Sequence, residues 1–231
     1  ISALAEFPRA AHWMARLGDG QTMTFVPGNH DAYVNVPWEN GLSHMAPWMA
    51  GDMRLADTET SARLDTPFPF VRLRKNVALI GLSSAVPQSL RKAGGTLGKA
   101  QLKALAPLLR DLRERGFARV ILIHHPPFPG LAVPRKALTD AAAFRDLIAA
   151  EGAELVLHGH NHRHMLNPLK TRFGTAHAVG VPSASMGVGD GHTPAAWYRY
   201  QIVRTEGRWA TTLTSRDYDP ATGTLSWGPE M

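Results

Sequence analysis

The sequence predicts an α/β fold in which two layered β-sheets are flanked by helices, and three observations predict it. Apolar segments of strand length alternate with amphipathic segments of helix length through most of the chain, and the part after about residue 173 reads as strands alone. The 231 residues, 44% of them hydrophobic, suffice for one sizeable core, and no shift in composition forces a second. A single domain over residues 1–231 is expected.

The elements follow in order. ISALAEFPRAAHWMARL (1–17) has amphipathic helical spacing, opens on Ile1 rather than methionine, and has no strand before it. TMTFV (22–26) reads as a buried strand, and FPFVRL (68–73) with VALIGLSS (77–84) reads as a hairpin turning at Lys75-Asn76. TLGKAQLKALAPLLRDLRERG (96–116) predicts a helix closed by Gly116, which Pro107 should kink near Ala106 or split. RVILI (119–123) and ELVL (154–157) are strand-like. Between them lies a helix over 139–150, capped by Thr139 or Asp140, with Phe144, Leu147 and Ile148 on one face. THAVGV, AAWYRYQIV and WATTLT form the β-rich end, separated by glycine-rich turns.

Composition narrows the chemistry. Cysteine is absent, so disulfides and thiolate metal sites are excluded and the metal candidates become nitrogen and oxygen donors, chiefly the 11 histidines and the carboxylates. No apolar run approaches the roughly 18 residues that span a bilayer, and no signal-peptide pattern is present, so a cytoplasmic protein without a membrane partner is expected. The net charge of +6 suits an anionic partner, but the basic residues scatter, with short clusters such as Arg72, Arg74 and Lys75. Dedicated nucleic-acid binding is therefore not expected.

Three predicted strands end alike. TFV runs into Pro27-Gly28-Asn29-His30-Asp31, RVILI into His124-His125-Pro126-Pro127, and ELVL into His158-Gly159-His160-Asn161-His162. Ligands of open α/β sheets lie at the carboxyl ends of strands, so three polar clusters there point to one shared site. Each has a simpler reading alone. Asn-His-Asp after Pro-Gly is sound turn chemistry. His124 and His125 alternate across a strand end, so at most one faces the site. In HGHNHRH, an extended backbone would align His160 and His162 with either His158 or His164, more histidines than one site uses. His158 and His164 are assigned to hydrogen bonding instead. Gly94-Gly95-Thr96-Leu97-Gly98-Lys99 is too short in its glycine spacing for a phosphate loop and reads as a helix lead-in, and Ser183 and Ser185 lack a nucleophile-elbow context.

Taken together, GNHD, HHPP and GHNH in this order resemble the calcineurin-like metallophosphoesterase superfamily over roughly residues 1–185, including GVPSAS (180–185), which is similar to a strand of bacterial phosphodiesterase-like members. The resemblance implies a two-sheet β-sandwich between helices, an αββα arrangement. It implies that Asn29, His124 and His160 are metal ligands on the second-metal side, that His162 is a ligand to the first metal, and that His30 is the catalytic histidine. His125 is not a ligand by the same comparison. The implied cofactors are two divalent or trivalent ions, and the mixed nitrogen and oxygen donors favour Mn, Fe, Zn, Co or Ni over Mg. Two cations roughly 3.5–4 Å apart offset phosphate charge and activate a water between them. His30 would protonate the leaving alkoxide. Asp31 would orient its neighbours by hydrogen bonds.

The expected substrate is a small phosphate ester, a phosphodiester ahead of a monoester, because the HHPP and GHNH spellings resemble members that hydrolyse cyclic nucleotides or glycerophosphodiesters. A phosphomonoesterase or nuclease of the same class is the alternative enzyme. WENGLSHMAPWMAGDM (38–53) could form a lid or a homo-oligomer contact within an insertion at about 36–66, with ordinary core packing as the alternative. The family's Asp-x-His and Gly-Asp-x-x-Asp-like motifs do not occur before Asn29. Gly18-Asp19, Gly51-Asp52 and Gly189-Asp190 have no aspartate three positions on. Asp190-Gly191-His192 spells Asp-x-His but lies in a glycine-rich turn. An N-terminal unit of roughly 30 residues, about one βαβ unit, is expected upstream of Ile1. The rival reading is a degenerate, non-enzymatic binding module that has lost its first-metal ligands.

Overall fold

Runs of Val, Ile and Leu build the larger of two sheets. The computed structural model describes residues 3–52, 67–89, 91–187 and 193–230. Six strands are ordered β1-β2-β3-β4-β6-β5, namely β1 (Phe70–Arg74), β2 (Val77–Gly81), β3 (Ala118–Leu122), β4 (Leu155–His158), β5 (Met165–Thr171) and β6 (Gly174–Gly180). β2, β3, β4 and β6 pair in parallel, with β1 and β5 antiparallel at the edges. The hairpin turns at Lys75-Asn76 as predicted, with Lys75 in the left-handed region at φ 52°.

Side chains alternate across these strands and so serve two cores. Val71, Ile80, Ile121 and Val156 lie under α2 (Gly98–Glu114) and α3 (Ala141–Glu151), which bury Leu105, Leu109, Leu112, Phe144 and Ile148 against them. Val120, Leu155 and Val179 face the other way, onto Leu213 and the tyrosines Tyr198 and Tyr200 of a three-stranded sheet. That sheet is β7 (Ala196–Thr205), β8 (Arg208–Asp219) and β9 (Thr224–Glu230) in order β7-β8-β9. The chain is a mixed α/β two-sheet sandwich with helices outside, as the sequence predicts. A third core packs α1 (Glu6–Leu17) through Phe7 and Met14 onto Met45, Trp48, Met49, Phe68 and Phe70. Met45, Trp48 and Met49 are thus occupied in packing. Residues 53–66 and the Asp190-Gly191-His192 stretch lie outside the described residues.

Several expectations change. TMTFV forms no strand; it runs beside Trp48, whose carbonyl accepts the Phe25 N–H at 2.9 Å, and its apolar side chains join the α1 core. The period-2 pattern is satisfied by a helix and 3-10 turns rather than by a ladder. Pro107 does not split α2, because it sits exposed and the carbonyl it deprives of a partner can be hydrated. Asp140 occupies the N-cap position of α3, but its side chain makes no capping bond there. Its carboxylate accepts the Leu97 and Gly98 N–H groups at 3.1 and 2.8 Å and so caps α2. β5 and β9 were not anticipated.

Arg72 holds the unpaired segment in place. It is 1% exposed on the Phe70 face of β1. Its guanidinium donates to the carbonyls of Ala50 at 2.7 Å, Pro47 at 2.7 Å, Met23 at 2.6 Å and Gly20. A planar fork suits this fan of acceptors and an ammonium does not. Arg72→Met, which keeps the stem but strands these carbonyls, should destabilise the protein by about 3 kcal/mol, and Arg72→Lys by nearly as much. Urea unfolding midpoints equal to that of the unsubstituted protein would contradict this role.

Candidate metal centre

Parallel pairing places the histidine motifs side by side. β3 and β4 are neighbours whose pairing continues past their ends: Ile123 N–H bonds Leu157 O at 3.0 Å and Gly159 N–H bonds His124 O at 3.1 Å. His124 and His160 therefore emerge at the same sheet edge. The Asn29 turn reaches that edge from the α1 core. Its Gly28 lies against the His124 ring so closely that an added Cβ would sit 2.7 Å from ring atoms, which requires glycine. The 3-10 turn Asn29–Asp31 is closed by Asp31 Oδ2, which accepts the Gly28 N–H at 2.7 Å. Burial raises the Asp31 carboxyl above its usual range, opposed in part by that bond.

Three lone-pair atoms converge. His124 Nε2 is 2.8 Å from Asn29 Oδ1 and 3.2 Å from His160 Nδ1. The amide of Asn29 is oriented by its Nδ2, which donates to Tyr33 Oη at 2.8 Å, so its oxygen is the atom presented to His124. His160 Nε2 is buried with no hydrogen-bond partner among the described residues. The nitrogen that faces His124 is His160 Nδ1, so the converging set is one amide oxygen with two imidazole nitrogens, a donor chemistry that fits a cation. Asn29, His124 and His160 could therefore hold a metal through oxygen and nitrogen donors of the type that binds transition metals.

The nearby imidazoles divide by what they touch. His124, His125 and His160 offer nitrogens that all lie within 4.8 Å of one another. His125 is nonetheless engaged at both nitrogens. Its Nε2 donates to Ala93 O at 3.0 Å, which leaves Nδ1 to accept from Ser84 Oγ at 2.7 Å. His125 is a buried peg rather than a donor to a cation. His30 and His162 are exposed and line the same cleft of about 260 Å³ as Asn29, His124 and His160, and the His30 ring lies edge-on to Tyr33. Neither belongs to the close histidine group. His158 turns Nδ1 toward Gly159 O, and His164 bonds Tyr198 of β7, so both sit outside the cleft lining.

The HGHNHRH segment is not extended beyond β4. His160 and His162 adopt φ 65° and 53°, so left-handed turns, and not alternation, bring both to the cleft. Sequence reasoning missed Tyr33 and the cations Arg91, Lys92, Arg135 and Lys136, which line the cleft, and Ser84, which lies buried behind His125. The signal of the cations was two Arg-Lys pairs, of which only Arg135-Lys136 lies close in sequence to a histidine motif.

Burial dominates the electrostatics. It pushes His124 and His160 down to about 3, helped by repulsion from neighbouring histidines, and His125 and His158 down to about 4. All four rings are neutral at neutral pH, the form that binds metals. An unfolded chain takes up protons near pH 6.5 that the folded chain refuses, so stability present above that pH is lost as pH falls toward 4. Asp31, whose carboxyl is raised by burial, acts in the opposite sense, losing stability as pH rises above the ordinary carboxylate range. In chelator, the unfolding temperature should drop steadily from pH 7 to pH 5, each buried ring contributing up to about 1.4 kcal/mol per pH unit. A flat profile would contradict the burial of these rings.

A family model described as calcineurin-like phosphoesterase matches residues 5–164, which include the Asn29, His124 and His160 motifs. Comparison with curated proteins gives no match. Among the described residues no helix is long and apolar enough to cross a membrane. The family model spans most of the chain and the histidine motifs it covers meet at one cleft, and so this chain belongs to the calcineurin-like phosphoesterase family, whose chemistry is metal-dependent hydrolysis of phosphate esters.

Proposed function

We propose that this protein is a phosphodiesterase working with two metal ions, in which Asn29, His124 and His160 hold one ion, His162 contributes to the other, and His30 protonates the leaving alkoxide. The observation that carries this is the approach of Asn29 Oδ1 and His160 Nδ1 to His124 Nε2 at 2.8 and 3.2 Å, from three distant segments. When bound, the ions offset the charge of the phosphoryl oxygens and supply a hydroxide nucleophile near neutral pH. The chain's own contributions are separable. Tyr33 orients the Asn29 amide, and burial keeps His124 and His160 neutral. Arg91, Lys92, Arg135 and Lys136 draw an anionic ester into the cleft. His30, exposed on the cleft wall, lies outside the close histidine group and can reach a substrate oxygen.

One observation favours a second reading. Among the described residues no carboxylate lines the cleft, so a non-enzymatic module that binds an anion or one metal remains the rival. Manganese-dependent hydrolysis of bis(p-nitrophenyl) phosphate by the full-length protein, lost in chelator and restored by metal, is the expected result for the enzyme. Its absence with metal bound favours the module. Asn29→Ala and His160→Ala should each lose both bound metal and hydrolysis; full activity in either removes that residue from the site. His30→Ala should retain metal and lose turnover by about 10²-fold or more. Lost metal with unchanged turnover per bound metal would reverse that assignment.

A further inference from the structure

The histidine cleft shares a wall with a second cavity. Arg135 and Lys136 line both, and the second, of about 320 Å³, adds Arg163, Asn161 and the apolar Leu131 and Val133. The shared wall is built rather than incidental. Arg135 and Lys136 lie on a 3-10 turn, Pro134–Lys136, whose Arg135 carbonyl accepts the Ala93 N–H at 3.0 Å, while the Ala137 carbonyl accepts the Gly95 N–H at 3.2 Å. Those bonds zip the loop carrying Arg91 and Lys92 to the loop carrying Arg135 and Lys136. Ala93 O in turn receives the His125 Nε2 proton, and Gly95 packs so tightly on His125 that an added Cβ would meet Nδ1 at 2.3 Å. Asn161 donates to Leu131 O at 2.8 Å and so fastens the second cavity to the loop bearing His160, His162 and Arg163.

The charge in this wall exceeds the need of one ester. A phosphodiester carries a single negative charge, and two metal ions would already face it. Five further cations, Arg91, Lys92, Arg135, Lys136 and Arg163, line the two cavities, and no carboxylate lines either among the described residues. None of the five forms an ion pair among the described residues. Such a one-signed wall repels itself until an anion arrives, and guanidinium pairs suit phosphate oxygens in particular. The apolar Leu131 and Val133 offer a surface for the carbon skeleton that would separate two anionic groups.

We infer that the ligand of this protein carries a second phosphoryl group, held by Arg163 with Arg135 and Lys136 in the adjoining cavity while the first lies over the histidines. The inference deepens the phosphodiesterase reading by naming the substrate class: organic esters that bear two separated phosphates. It rests on that reading for which phosphate is attacked, but its binding claim can be tested without metal.

Calorimetric titration of the chelator-treated full-length protein compares propyl phosphate with propane-1,3-diol bisphosphate. The bisphosphate should bind at least about 10-fold more tightly, since charge-assisted contacts to a second phosphate are worth a decade or more in affinity. Arg163→Gln should bring the two ligands within about two-fold by weakening the bisphosphate, whereas Arg163→Lys, which keeps the charge, should retain part of the gap. Unchanged unfolding temperatures show that both variants fold. Equal affinities in the unsubstituted protein, or a gap that survives Arg163→Gln, would overturn the inference. A parallel assay with bis(p-nitrophenyl) phosphate separates the claims: tight, Arg163-dependent bisphosphate binding without hydrolysis sustains the two-phosphate site and removes the enzyme reading alone.

Discussion

The contact between the His124 imidazole and the Asn29 amide is where two separately organised parts of the chain meet. His124 belongs to the end of a parallel strand whose core lies under α2 and α3, while Asn29 belongs to a turn resting on the α1 core. The segment before Asn29 has no ladder to hold it. Its position is set at one end by Arg72, which gathers the Gly20 and Met23 carbonyls, and at the other by Gly28 lying flat against the His124 ring. Loss of either anchor would leave the amide oxygen without a defined place, and the site would lose the oxygen donor that Asn29 sets beside His124.

The same closeness sets the chemistry. Desolvation removes the proton from each buried ring, so the cluster is electrically neutral where most histidine groups would share charge. In the bare protein the single N–H of His124 can be donated to Asn29 Oδ1, a hydrogen bond that a cation held between the two residues would replace. His125 shows the contrast. One residue from His124, its ring packs beside those of His124 and His160 but spends both nitrogens on Ser84 and Ala93, and thereby ties the cationic loops to the site. These adjacent histidines are thus divided between donor and scaffold by what their nitrogens bond.

Much of this was legible in the sequence. Runs such as VALIG and RVIL are strands in either context, because β-branched and apolar side chains alternate between two buried faces. Two of the motifs, at His124 and His160, were readable as one site because parallel strands deliver their carboxyl ends to one edge, whereas Asn29 reaches that edge on a 3-10 turn with no strand before it among the described residues. TMTFV misled because its alternating Met23 and Phe25 are covered by Trp48 and α1, and a pattern of burial does not reveal which element supplies the cover. The left-handed turns at His160 and His162 have only a weak signature in residue type, since histidine is enriched there but glycine or asparagine is the usual signal. The basic residues were legible only as scatter. Arg72 and Arg74, the visible cluster, serve carbonyls and Asp52, whereas Arg91, Lys92, Arg135 and Lys136 become a wall only after two loops are zipped together.

The central claim is that Asn29, His124 and His160 surround a common cation. Anomalous diffraction from crystals of the full-length protein grown with manganese tests it most directly. The account predicts a peak within about 2.0–2.3 Å of Asn29 Oδ1 and of a ring nitrogen of both His124 and His160, with His125 still bonded to Ser84 and Ala93. Manganese bound elsewhere, with Asn29 and His124 still hydrogen-bonded to each other and no peak between them, would contradict it.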